Sequence, residues 1–295
     1  MTRRLSGTLV VCATALVVAL PAAASATTPA TGARPVVPGS GYLALGDSVT
    51  FGYQEAQVAP RPNYRNASSF HGYPEQLGAQ MRLRVANLAC PGETSSSLIN
   101  PRAESNGCEN VLGKGAGYRT LFPLHVRYRG SQLAYGVSYL KTHRNIRLVS
   151  LMIGANDYFV CVETTRDACA STSERVAVLR KVAANVRVIL SAIRNKARYR
   201  GQLAIVNYYS LNYASSPSNA QSRALNQTVD RAAKPFGVEI ADGFGQLRLA
   251  AFHSGAGGDS CKAGLLTQLT TGKCGVHPSY AGQALLAQAL MLRRR

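Results

Sequence analysis

Apolar residues fall into two alternating rhythms along most of this chain. Short apolar runs at 42–45, 84–89, 146–153, 202–207 and 238–241 read as strands. The clearest is 146–153, where Ile146, Leu148, Val149, Leu151, Met152 and Ile153 leave little polar surface, as in a strand buried on both faces. Between the runs, apolar positions recur three and four residues apart, the helical period. Val176, Leu179, Val182, Val186, Ile189 and Ile193 form one such stripe, with Ser171 and Glu174 as a capping box before it. Helices are also predicted over 73–83, 131–142 and 219–234, the last stopped by Pro235 and Gly237. Pro278 is placed in the first turn of a terminal helix running through Leu292. The segment 100–129 fits no regular element and reads either as a wall of a cleft or as a surface insertion pinned by Cys108.

Strands alternating with helices predict an α/β fold, a three-layer α/β/α sandwich around a mainly parallel sheet. Ligands of such sheets bind beyond the carboxyl ends of the strands. The residues just past each apolar run are therefore informative. Gly46-Asp47-Ser48-Val49 comes after the first run, Pro91-Gly92-Glu93-Thr94 after the second and Gly154-Ala155-Asn156-Asp157 after the third. Val276-His277-Pro278 stands before the terminal helix. Each block alone reads as a turn or a cap. Together they supply a hydroxyl, backbone and side-chain N–H donors and an imidazole, the inventory of acyl transfer through a serine.

The order and content of the four blocks resemble the SGNH hydrolases, the GDSL esterase/lipase family, from about Tyr42 to the C-terminus. Gly117-Tyr118-Arg119 and Phe122-Pro123-Leu124-His125-Val126 look like a segment of secreted actinobacterial lipases of that family. The resemblance implies Ser48 as nucleophile and His277 as base and then acid. It implies an oxyanion hole from the Ser48 and Gly92 N–H groups and the Asn156 side chain, with no metal or organic cofactor. Asp47 and Asp157 are read as fixing their turns, and His125 is the competing histidine. One departure matters. The family's acid three residues before the histidine is replaced by Cys274, and Lys273 and Gly275 are not acids. A Ser48–His277 dyad is therefore expected, with a main-chain carbonyl of Cys274 or Gly275 orienting the imidazole and Asp259 as the alternative.

The N-terminus changes the compartment. Arg3 and Arg4, an apolar stretch over 9–20 and Ala24-Ser25-Ala26 form a secretory leader over residues 1–26. The stretch is too short to span a bilayer. Thr27 is the expected first mature residue, followed by a flexible lead-in over 27–39 and one domain over 40–295. Of seven cysteines, only Cys12 lies in the leader. The other six suggest disulfides in an exported chain, and the connectivity is open from sequence. Local pairing is simplest: Cys90–Cys108, Cys161–Cys169 and Cys261–Cys274. No CxxC spacing supports zinc instead.

A formal charge of +19 permits attraction to anionic surfaces. The basic residues are scattered, without a helix-turn-helix or an aromatic-rich RNA signature, so no specific nucleic-acid partner is expected. An anionic lipid interface is compatible with the charge. The expected protein is a secreted monomeric esterase or lipase acting on lipid esters, phospholipids included. Carbohydrate deacetylation and a weakly active binding protein are the alternatives.

Overall fold

The computed structural model of the protein describes residues 34–111 and 115–292. The predicted leader and residues 27–33 of the lead-in lie outside them. The rest of the lead-in is not free. Val36 is buried, the Gly39 N–H donates to the Arg82 carbonyl at 2.8 Å, and Asn145 Nδ2 donates to the Gly39 carbonyl at 2.9 Å.

The chain opens with β1 (Gly41–Gly46), the short α1 (Ser48–Phe51), α2 (Tyr73–Met81) and β2 (Arg84–Asn87). A long stretch comes next whose one helix among the described residues is α3 (Tyr118–Leu121), and then come α4 (Gln132–Thr142), β3 (Ile146–Met152), α5 (Ala155–Thr164) and α6 (Thr172–Ser191). The C-terminal part holds β4 (Gln202–Val206), α7 (Ser216–Ala233), β5 (Glu239–Ala241), α8 (Gly243–His253), β6 (Leu266–Gln268), β7 (Cys274–Pro278) and α9 (Tyr280–Met291).

Five strands form one sheet in the order β2-β1-β3-β4-β5, every neighbouring pair parallel. Parallel neighbours require crossover connections, and these bring helices onto the sheet. One group comprises α2, α8 and α9, and a second comprises α4, α6 and α7. The core lies between helices and sheet. Tyr42, Leu43, Leu45, Leu148 and Leu151 are fully buried, each leucine worth about 1.5–3 kcal/mol against exposure. The strand order reverses between β1 and β3, and ligands of open sheets bind at such a switch point. Ser48 follows β1 and Asn156 follows β3, so both flank it.

Several boundaries differ from the sequence expectation for local reasons. The helix predicted over 73–83 stops at Met81 because Arg82 takes a left-handed conformation, φ 53°, as its C-cap. Pro278 does not open α9. It pairs with Leu266 at the end of β7, and Ser279 caps the helix by accepting from the Gly282 N–H. The Asn156 block opens α5, with Gly154 as its N-cap and Ala155, Asn156 and Asp157 in the first turn. Helix α8 and the antiparallel β6–β7 pair carry no strong periodicity and were not predicted. Among the described residues no helix is long and apolar enough to cross a membrane.

Candidate active site

Ser48 is the first residue of α1, immediately after β1. Asp47 caps the helix, its Oδ1 accepting from the Val49 N–H at 3.0 Å. The Ser48 N–H lies at a helix start, where backbone donors lack intrahelical acceptors. Ser48 is buried but lines a cleft of about 480 Å³. That volume is in the range of small-molecule sites.

His277 reaches the serine from the C-terminal strand β7. Its Nε2 lies 2.9 Å from Ser48 Oγ. Its Nδ1 lies 2.8 Å from Glu55 Oε1. This corrects the expected orienting group: neither the Cys274 nor the Gly275 carbonyl takes that proton, and the third member of the chain is a carboxylate. Glu55 lies beyond the short α1, in the loop toward α2, and folds over β7. Its Oε1 also accepts from the Val276 N–H at 2.8 Å, and its Oε2 accepts from Thr267 Oγ1 on β6 at 2.6 Å. Gly275 makes the approach feasible, because a Cβ there would lie 2.1 Å from Glu55 Oε1. Burial would raise the Glu55 carboxyl, but the hydrogen bond and charge of His277, with Thr267, hold it at about 2. The carboxylate is therefore ionised at neutral pH. Asp259, the alternative acid, is occupied elsewhere: its Oδ1 accepts from the Cys261 and Lys262 N–H groups at 2.9 and 3.1 Å. His125 packs on Phe51, with Nε2 3.0 Å from the Phe51 carbonyl, and is not a cleft residue.

The donor groups converge on the same cleft. Gly92 lines it with φ +81°, and a Cβ there would meet Gly107 Cα at 2.5 Å. No other residue could bring that backbone so close. Asn156 lines the cleft from α5. One of its Nδ2 hydrogens goes to the Glu93 carbonyl at 3.0 Å, and Asp47 Oδ2 lies 3.3 Å from the same nitrogen. Asn106, from the irregular segment, donates to Asn156 Oδ1 at 2.9 Å. Asp157 points away from the cleft and anchors Ser95, accepting from its N–H at 2.8 Å and its hydroxyl at 2.6 Å. Burial pushes Asp47 up to about 6, against the hydrogen bonds from Tyr208 and the Val49 N–H that favour its charged form.

The segment 100–129 is a wall of the cleft, supplying Asn106, Gly107 and Tyr118, and it is also pinned by Cys108. Tyr118 belongs to an aromatic cluster with Tyr53, Tyr64 and Phe122, and Tyr53 sets its ring edge-on to His277 at 4.9 Å. The opposite wall comes from Tyr158 and Phe159 on α5 and from Ser218, Gln221, Ser222 and Leu225, one face of α7. Disulfides join Cys90 to Cys108, Cys161 to Cys169 and Cys261 to Cys274. Those six sulfurs are therefore not free thiolates for a metal.

Glu55, Asn106, Tyr208 and Tyr209 stand in the site without a motif in the sequence. For Glu55 a signal existed: it is a rare acid in a chain with 14 Asp and Glu residues, shortly after the nucleophile block.

A parallel α/β sheet with a serine just past the end of β1, joined through a histidine of the separate β6–β7 pair to a carboxylate, defines a carboxylic ester hydrolase of the SGNH type. The chain belongs to the GDSL-like Lipase/Acylhydrolase family, whose model matches residues 44–285. Solved structures agree on the fold. A GDSL-like lipase from Parabacteroides merdae is 15% identical, with a TM-score of 0.51, covering 88% of this chain and 97% of that one. A catalytic mutant of an acetylxylan esterase from Geobacillus stearothermophilus is 17% identical, with a TM-score of 0.53, covering 88% and 95%. No curated protein matches the chain significantly in sequence.

Proposed function

We propose that the protein is a secreted serine esterase that hydrolyses lipid esters through a Ser48–His277–Glu55 triad. The observation that carries this reading is the unbroken hydrogen-bonded chain from Ser48 Oγ through both imidazole nitrogens to Glu55, at the edge of an aromatic cleft.

That geometry sets the order of the steps. His277 Nε2 takes the Ser48 proton as Oγ attacks the ester carbonyl carbon. Glu55 stabilises the resulting imidazolium and fixes which nitrogen faces the serine. The carbonyl oxygen becomes an oxyanion and accepts from the Ser48 and Gly92 N–H groups and from Asn156 Nδ2. His277 then gives its proton to the departing alkoxide, and the C–O bond breaks to leave the acyl-enzyme. A water molecule, deprotonated by His277, attacks the acyl carbon. Collapse of the second tetrahedral intermediate returns the proton to Ser48 and releases the acid. These groups do the chemistry without calling on a metal or organic cofactor.

The lipid substrate is favoured by the cleft lining. Tyr118, Tyr158, Phe159 and Leu225 offer apolar surface to an acyl chain, and Phe159, Leu211 and Val276 leave apolar surface exposed at the cleft. The positive charge favours anionic interfaces, phospholipid included. Export is supported by the leader sequence and by three disulfides, which persist in oxidising compartments. Carbohydrate deacetylation is the second reading, and the polar face Ser218, Gln221 and Ser222 on α7 is what favours it.

Hydrolysis of p-nitrophenyl esters from acetyl to palmitoyl tests the proposal, using oxidised protein and its Ser48→Ala variant. Turnover that requires Ser48 and rises with acyl length is expected. Ser48-dependent turnover confined to acetyl esters would favour the carbohydrate reading. Turnover retained by Ser48→Ala would sink the mechanism.

A further inference from the structure

Two consecutive tyrosines after β4 end on different parts of the proposed catalytic chain. The Tyr208 hydroxyl donates to Asp47 Oδ2, beside the serine. The Tyr209 hydroxyl donates to the Val276 carbonyl, beside the histidine. Helix α7 fixes both. Asn226 accepts from the Tyr208 N–H at 2.9 Å and donates to the Tyr208 carbonyl at 2.8 Å. Ser222 Oγ donates to the Tyr209 carbonyl at 2.9 Å.

The Tyr208 contact bears on oxyanion binding. Asn156 must offer one N–H to the oxyanion, yet its amide is already held on two sides. Asn106 fixes Oδ1 at 2.9 Å, and the Glu93 carbonyl takes one Nδ2 hydrogen at 3.0 Å. The remaining hydrogen faces Asp47 Oδ2 at the long distance of 3.3 Å. A buried carboxylate is a strong acceptor and would compete with the oxyanion for that hydrogen. The Tyr208 hydroxyl occupies the same carboxylate oxygen.

We propose that Tyr208 is a positioning residue: by donating to Asp47 Oδ2 it weakens the hold of Asp47 on Asn156, leaving the Asn156 N–H available to the oxyanion. The inference rests on the acyl-transfer reading above. It assigns Tyr208 an effect that passes entirely through Asn156, whereas Tyr209 acts through the strand that carries His277.

A double-mutant cycle separates this from a merely structural role. Tyr208→Phe should lower kcat about tenfold with KM little changed, the pattern of an interaction made only in the transition state. In an Asn156→Ala background the same substitution should cost less than about twofold. Affinity for an alkyl boronic acid, which adds to Ser48 and places an oxygen in the oxyanion site, should fall in parallel with kcat. Tyr209→Phe is the control, and its effect should multiply with that of Asn156→Ala. If Tyr208→Phe melts below the assay temperature, Asp47→Asn supplies the second test. Without a carboxylate to compete, boronate affinity should then persist at or above that of the parent. Unchanged kcat in Tyr208→Phe, a multiplicative Tyr208–Asn156 cycle, or boronate binding lost in Asp47→Asn would overturn the inference. An absence of Ser48-dependent turnover in the parent protein would instead refute the acyl-transfer reading on which it stands.

Discussion

Glu55 carries the strongest residue-level prediction. It accepts from the imidazole and from three neighbouring groups of the β6–β7 pair, the Val276 and His277 N–H groups and Thr267 Oγ1, so it fixes both ring orientation and strand position. Glu55→Gln should lower kcat by about 10²- to 10⁴-fold, because an amide can stabilise neither the imidazolium nor the correct tautomer. Steady-state kinetics on a soluble ester checks this, and near-normal kcat would return the site to a dyad. Gly275→Ala probes the same contact from the other side. The nearest atom to the added Cβ is the far end of the flexible Glu55 side chain, at 2.1 Å. Glu55 should therefore be pushed off His277, lowering kcat, while Tm changes little. Ser48, Gly92, Asn156 and His277 were legible because each sits in a short block whose neighbours matter to its function. Glu55 was not, because its partnership joins residues 222 positions apart. Only the folded β6–β7 pair brings them together, and the glycine that admits the carboxylate looks like any turn residue.

At the level of elements, the pair β6–β7 is the part most exposed to failure. It belongs to a two-stranded sheet of its own, separate from the main one. Isolated pairs of strands are marginal in water. The Cys261–Cys274 disulfide ties β7 to the preceding loop across 13 residues. A closed loop of that size is worth about 3 kcal/mol in the chain-entropy account. Replacing both cysteines with serine should lower Tm and also reduce kcat, since the strand carries His277. Thermal melts beside kinetics test this, and full activity with lowered Tm would show that the Glu55 and Tyr209 contacts hold the strand without the disulfide. The elements easiest to read in the sequence were those with uninterrupted patterns. Strand β3 is buried almost throughout, and α6 buries Val182, Val186 and Ile189 of its apolar stripe, although Val176 at its start is exposed. Helix α8 and the pair β6–β7 are short or mixed in character, and tertiary contacts decide them. Pro278 misled for the same reason: a proline suits a first helical turn, but here the pairing with Leu266 claims it for the strand.

For the molecule as a whole, the buried carboxyls set how stability varies with pH. Glu93 is fully enclosed, with Ser97 and Gln132 against its two oxygens. Burial pushes its carboxyl from 4.5 up to about 8, against those hydrogen bonds. Glu75 and Asp47 are raised by burial in the same way, to about 7 and about 6. A raised acid is protonated in the fold while the unfolded chain ionises. Its stabilisation is complete below the unfolded value and is lost as pH rises through the folded one. For Glu93 the window therefore runs from 4.5 to about 8. Glu55 has the opposite sign: its contribution is present above 4.5 and is lost as pH falls toward about 2. The urea midpoint should consequently fall between about pH 5 and about pH 8. Glu93→Gln imitates the protonated acid in offering one donor and one acceptor and in never ionising. It should leave the midpoint near pH 5 almost unchanged, raise it near pH 8 and flatten the slope between. A variant with the parent's slope would mean that Glu93 ionises normally inside the fold and that Glu75 and Asp47 carry the dependence. Since the Glu93 carbonyl also accepts from Asn156, a flattened stability curve with parental kcat would show that the buried carboxyl serves the fold while its backbone serves the site.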